Sequence, residues 1–94
     1  MKKIILFFLF YIMVQGAALA GDVVLTWIDN SDDENGFVIE RTLSANCFDG
    51  WEVIGYTGAN QNSFTDIRIP GACYRVAAYN QHGLSTYSTP AKVL

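Results

Sequence analysis

The chain is expected to fold as an all-β sandwich or barrel, and two features of the sequence carry that expectation. Apolar residues recur at every second position in several short runs, the period of a strand with one buried face. Between the runs lie clusters of Asn, Asp, Gly and Ser, residues that accept turn geometry. No stretch sustains a 3.6-residue period with helix caps, and closely spaced short strands divided by turns are the mark of a two-layer β domain.

The first segment is read as lying outside the domain. Met1-Lys2-Lys3 precedes an unbroken apolar run over residues 4–14, then Gln15-Gly16, then Ala18-Leu19-Ala20. Charged start, apolar stretch and small-residue site are the order of a secretory signal peptide. Residues 1–20 are therefore expected to be a leader cleaved after Ala20, and residues 21–94 the domain. The apolar run falls well short of the roughly twenty residues a spanning helix needs, so no membrane span is expected after cleavage. A lipid anchor would need a cysteine after Leu19-Ala20-Gly21, and Asp22 stands there. The expected location is extracytoplasmic, either periplasmic or secreted.

In the first strand Val23, Leu25 and Trp27 fall on one side and Val24, Thr26 and Ile28 on the other. The same alternation returns over residues 37–41, 51–56, 63–65 and, most clearly, 73–79. A last strand is expected over residues 86–93, with Pro90 marking an edge position or a break.

Without the leader, 74 residues remain, one small domain whose single core buries only about 60% of its unfolded surface. Four basic residues (Arg41, Arg68, Arg75, Lys92) then face nine acidic ones, a net charge of −5. Nucleic-acid binding, which depends on clustered Lys and Arg, is disfavoured. Two cysteines, Cys47 and Cys73, remain in an exported chain, and an oxidising compartment with an even count favours a disulfide. A zinc site would need about four ligands, and the only histidine is His82. Closing a loop of about 27 residues contributes on the order of 3.5 kcal/mol, a large share of the roughly 4 to 11 kcal/mol expected for a chain of this size.

Several of these runs together resemble the fibronectin type III family, an immunoglobulin-like β-sandwich. "VVLTWIDNSDDENGFVIERT" is similar to its strands B and C with an Asn/Asp-rich turn between them, and "SFTD" to its strand E. "PGACYRVAAYNQHGLSTYS" is similar to strand F, the FG loop and the start of strand G. The resemblance implies a core built on Trp27, Phe37, Ile39, Phe64 and Val76. It also implies a tyrosine corner at Pro70, Gly71 and Tyr74, in which the phenol hydroxyl ties back to nearby backbone. Strands C and F are antiparallel neighbours in this family, which places Cys47 and Cys73 near one another. Family members carry a strand A before strand B, and a domain beginning at Gly21 has only Gly21 and Asp22 ahead of Val23. Strand B would then expose unpaired backbone groups at an edge.

The acidic stretch Asp29-Asn30-Ser31-Asp32-Asp33-Glu34-Asn35-Gly36 invites a calcium reading. Asp29, Ser31, Asp33 and Asn35 take positions one, three, five and seven of an EF-hand loop, and Glu40 position twelve. Glu34, however, occupies the sixth position, where the sharp turn requires glycine, and the flanks are strands. The segment is read as a turn, its Asp and Asn bonding to local backbone and Gly36 supplying permissive geometry. Asp29, Asp32 and Asp33 are weak metal candidates, and no cofactor is expected. Catalysis is disfavoured, because His82 sits in a loop without a G-x-S-x-G context and a small sandwich offers no deep groove.

Along residues 73–79, Tyr74, Val76 and Ala78 should face the core and Arg75, Ala77 and Tyr79 the exterior. A hairpin turning around His82 and Gly83 brings Tyr87 opposite Tyr79. Arg75, Tyr79, His82 and Tyr87 are thus candidate binding residues; alternatively the aromatic pair stabilises the sheet by about 0.2 to 1 kcal/mol. Residues 84–88 also resemble the box of cytokine-receptor domains in which arginines stack on rings as a structural ladder.

The expected function is a non-catalytic, extracytoplasmic interaction module. Its partner is an unknown protein, or a second copy, met through the open edge of strand B or through the BC and FG loops. The alternatives are a carbohydrate-associated module using Tyr79 and Tyr87, and a weak calcium-binding surface domain.

Overall fold

The computed structural model describes residues 13–16, 21–28 and 33–93, with side chains from residue 21 onward. The strands are β1 (Met13–Gly16), β2 (Asp22–Thr26), β3 (Gly36–Thr42), β4 (Glu52–Gly58), β5 (Ser63–Ile67), β6 (Cys73–Asn80), β7 (Gly83–Leu84) and β8 (Ala91–Lys92). One sheet has the order β1-β2-β5; the other has the order β4-β3-β6-β7, with β8 also paired to β6. All pairings are antiparallel, and the described residues contain no helix.

Strands β3 and β6 lie inside their sheet, and the burial pattern follows from that. Almost every residue of both is buried, whereas β4, at the edge, is mostly half-buried or exposed. The core joins Val23, Leu25 and Trp27 to Phe37, Ile39, Tyr74, Val76 and Ala78, with Phe64 and Ile54 packed against it. Trp27 lies just past the end of β2, its ring tilted against Phe37 at 5.5 Å between centroids. The turn into β6 is built on Pro70 and Gly71. Ala72 donates its N–H to the Ile69 carbonyl at 3.0 Å, and Gly71 adopts a φ of +85°, which suits glycine at the third position of a type II turn.

Gly55 stands opposite Ile39, the last pair before the register shifts at Glu40. The absent side chain makes room for the other sheet: a Cβ on Gly55 would stand 2.5 Å from the Phe64 ring. Gly55→Ala is therefore expected to destabilise the domain by about 1 to 3 kcal/mol through overpacking, measurable by urea titration.

Three local readings are corrected by the structure. Gly36 does not supply an unusual backbone angle, since its φ lies outside the left-handed region; it supplies space, because a Cβ there would run into the Thr57 carbonyl and the Tyr79 ring. The hairpin after β6 turns on Gln81 and His82, closed by the Asn80–Gly83 pair, so Leu84 and not Tyr87 stands opposite Tyr79. The Asn80 side chain favours this tighter turn, accepting the His82 N–H on Oδ1 at 2.7 Å as an Asx turn does.

The last expected strand is split in two. From Leu84 to Ala91 the chain advances seven residues while their β6 partners retreat only five, from Tyr79 to Tyr74. The extra residues are accommodated because serine hydroxyls take over bonds that a regular ladder would assign to carbonyls. Ser85 Oγ accepts the Ala78 N–H at 2.9 Å and Ser88 Oγ the Val76 N–H at 3.0 Å.

Candidate functional site

Arg75 emerges from the outer face of β6 into a closed stack. Its guanidinium lies 4.3 Å from the centre of the Trp51 ring on one side and 3.7 Å from that of Tyr87 on the other. Glu40, beside it on β3, is only 8% exposed. Its Oε1 accepts from Arg75 Nε at 2.8 Å and meets Nη2 at 2.7 Å. Its Oε2 accepts the Tyr87 hydroxyl at 3.0 Å. Charge, ring faces and hydroxyl are thus all engaged within the protein. The slip after Leu84 is what carries Tyr87 to this place. Trp51 and Glu40 complete the stack; Trp51 was not singled out in the sequence and Glu40 only as an EF-hand position, although an outward Glu directly across from an outward Arg was the available signal.

The other two candidates lie apart. The Tyr79 ring lies over Gly36 and meets Tyr56 edge-on at 5.7 Å, and Tyr56 is 65% exposed. His82 is exposed at the tip of the hairpin.

On the opposite face of β6, the Tyr74 hydroxyl donates to Asp66 Oδ2 at 2.6 Å. The phenol therefore closes on a carboxylate of β5 and not on nearby backbone, which corrects the expected corner. The same oxygen accepts from Arg41 Nη1 at 2.7 Å, so β3, β5 and β6 meet across the two sheets. Burial pushes the Tyr74 phenol above its ordinary range, and the bond to Asp66 adds to the effect. Burial alone would raise Asp66, but hydrogen bonds from Tyr74 and Arg41 outweigh it and hold the carboxyl below its usual value.

Cys47 and Cys73 are joined, with 5.6 Å between Cα atoms. The bridge ties the loop after β3 to the first residue of β6. That loop is further fixed by Thr42 Oγ1 donating to the Asp49 carbonyl at 2.5 Å and by Lys92 Nζ donating to the Ala45 carbonyl at 2.8 Å. It presents Phe48 79% exposed and Leu43 61% exposed, an apolar pair that no alternation flagged because it lies outside the strands.

Asp29 and Asp32 lie outside the described residues. The end of the acidic turn is held by long-range bonds: Asn35 N–H to the Tyr79 carbonyl at 2.7 Å, Asn80 Nδ2 to the Asp33 carbonyl at 3.1 Å, and Asn60 N–H to Glu34 Oε2 at 3.3 Å. Among the described residues no group of three His, Cys, Asp or Glu side chains is arranged to hold a metal.

The remaining feature is an edge. β2 pairs on one side with β5 and on the other with β1, in the register Met13–Thr26, Val14–Leu25, Gln15–Val24 and Gly16–Val23. The third strand of this sheet therefore comes from within the segment read as the leader, and a domain that begins at Gly21 lacks it. The direction of the backbone groups follows from two bonds beyond the strand ends: Trp27 N–H to the Asn62 carbonyl at 3.1 Å, and Arg68 N–H to the Gly21 carbonyl at 2.7 Å. Because these groups alternate along a strand, residues 21, 23, 25 and 27 address β5, and Asp22, Val24 and Thr26 address β1.

No protein-family model and no curated protein sequence matches the chain. Solved structures do. A crystal structure of titin domains matches at 25% identity and a TM-score of 0.69, over 89% of this chain and 30% of that one. The twitchin kinase region of C. elegans, a chain with Fn and Ig units, matches at 24% identity and a TM-score of 0.62, over 81% of this chain and 14% of that one. The fold is that of a fibronectin type III-like β-sandwich. Pectate lyase Pel3 from Pectobacterium carotovorum also matches, at 17% identity and a TM-score of 0.73, over 88% of this chain and 26% of that one; at that identity the likeness concerns fold alone. The fibronectin type III-like domain spans about a third or less of each of these chains. The likeness is one of fold, and function has to be argued from sites on the fold. The disulfide is consistent with an oxidising compartment, and among the described residues no helix is long and apolar enough to cross a membrane.

Proposed function

We propose that the protein is exported, loses residues 1–20 and acts outside the cytoplasm as a non-catalytic module that recognises a protein partner. The observation behind this reading is the β2 edge. Among the described residues the strand on that edge is residues 13–16, so cleavage after Ala20 bares the backbone groups of Val24 and Thr26. A bare edge on an otherwise complete sandwich is a site for strand addition, where main-chain bonds supply affinity. The Arg75 stack speaks against a site there, since its groups already satisfy one another. The test is affinity capture from the native envelope fraction with the processed domain as bait. A defined protein, either another chain or this one, should be enriched by the domain and lost with Val24→Lys, whose side chain stands at the bared edge.

A second reading is favoured by one observation: the exposed Tyr56 set edge-on to Tyr79 above the side-chain-free Gly36. Such rings can stack on a sugar. Retention on insoluble polysaccharide, abolished by Tyr56→Ala with unchanged melting, would establish this reading in place of the first.

A further inference from the structure

We infer that the occupant of the bared β2 edge is the β2 strand of a second copy, giving a symmetric dimer that forms only after the leader is removed; this rests on the processing proposed above. The argument begins with the direction of the backbone. Asp22, Val24 and Thr26 turn their N–H and C=O groups away from β5. In an antiparallel pair, residues that turn toward one another exchange both of their bonds. Two β2 strands related by a twofold axis through Val24 therefore pair Asp22 with Thr26, Val24 with Val24 and Thr26 with Asp22, and every edge-facing group finds a partner.

The side chains agree with this register. Val23 and Leu25 are buried beneath their own sheet, and the axis sets each against the other on that same inner face. Asp22 meets Thr26 and not a second Asp22, so no like charges stand opposite. The five residues Asp-Val-Val-Leu-Thr are thus self-complementary when read antiparallel. Any shift by an even number of residues leaves edge-facing groups unpaired, and any shift by an odd number sets edge-facing residues against residues that address β5. Two sheets become one continuous sheet of the order β5-β2-β2-β5, a closed isologous interface.

The intact chain already seats one antiparallel strand on this edge. Met13–Gly16 engage four of the five β2 residues, so β1 and a second copy compete for the same groups. The leader caps the edge, and cleavage uncaps it. Among the described side chains the core runs from Val23 to Val93, and the processed domain retains all of these. At −5 per copy, association also opposes charge repulsion, and added salt strengthens it.

The experiment uses the processed protein recovered from its native host. Intact-mass measurement should show a chain beginning at Gly21. Light scattering should give twice the monomer mass at about 100 µM, with dissociation on dilution and tighter association at higher salt. Val24→Lys, which sets two ammonium groups face to face, and Val24→Pro, which removes an edge-facing N–H that β5 does not use, should both give folded monomers with unchanged near-ultraviolet circular dichroism. A correctly processed wild type that stays monomeric at every concentration overturns the self-pairing while leaving recognition of another protein intact. A dimer that survives both substitutions overturns it as well, by placing the interface elsewhere. A chain that retains residues 1–20 overturns both the pairing and the processing on which it rests.

Discussion

Replacing Cys47 and Cys73 together by serine is expected to lower the unfolding free energy by on the order of 3.5 kcal/mol. The bridged residues are 26 apart in sequence, so the reduced chain regains the freedom of a loop of that length when it unfolds. For a domain of this size, each kcal/mol moves the midpoint by about 4 to 8 °C, so the melting temperature should fall by roughly 15 to 25 °C. The position of the bridge adds to the effect. Cys73 opens β6, which pairs with β3, β7 and β8, so loosening its start loosens the strand that organises one sheet. Thermal melts of the double variant, and of the wild type with and without reductant, check this. Unchanged melting on reduction would mean that the small core suffices without the bridge.

Asp66→Ala should cost about 2 to 4 kcal/mol, because it strands two partners at once. Tyr74 is completely buried, and its hydroxyl has Asp66 as its acceptor. Arg41 loses the carboxylate that faces it across the sheets. Tyr74→Phe removes one of these partners and should cost less, and the double variant should lose less than the sum of the two, since both changes break the same bond. The pH dependence follows. Asp66 is held below its ordinary range, so its contribution is complete above the unfolded carboxyl value, near 3.9. It is lost as the pH falls through the lower folded value. Tyr74 and Tyr87 behave in the opposite sense. Burial, and then hydrogen bonds to Asp66 and Glu40 respectively, raise both phenols. Their contribution is complete below the unfolded phenol value, near 10, and is lost as the pH rises past it toward the higher folded values. Urea midpoints across the pH range should decline at both ends, and Asp66→Ala should flatten the acid decline.

Most of the strand framework was legible because alternation reports directly on which side chains share a buried face. Val23, Leu25 and Trp27, or Tyr74, Val76 and Ala78, cannot all be buried by a helix. What was not legible depended on register. Whether Tyr87 meets Tyr79 or Arg75 turns on where the hairpin closes, which sets Leu84 opposite Tyr79, and on the slip after Leu84 permitted by Ser85 and Ser88, whose hydroxyls substitute for backbone acceptors. Periodicity carries no trace of such substitutions. The same limit hid the acceptor for Tyr74, since Asp66 reaches it only when β5 and β6 face each other from different sheets. Gly36 illustrates another limit: a glycine beside acidic turn residues suggests backbone freedom, yet here it makes room for a ring. The segment over residues 13–16 carries two patterns at once, the tail of a secretory leader and an edge strand, and composition alone expressed only the first.

The central claim is that the processed domain remains a folded sandwich whose β2 edge is bared by loss of β1. Residue-resolved amide exchange on the processed protein tests it most directly. At low concentration the amides of Leu25 and Trp27, which address β5, should be protected, while those of Val24 and Thr26 exchange freely; at high concentration Val24 and Thr26 should become protected too. Equal protection of all four at every concentration, or loss of protection at Leu25 and Trp27, would contradict the account.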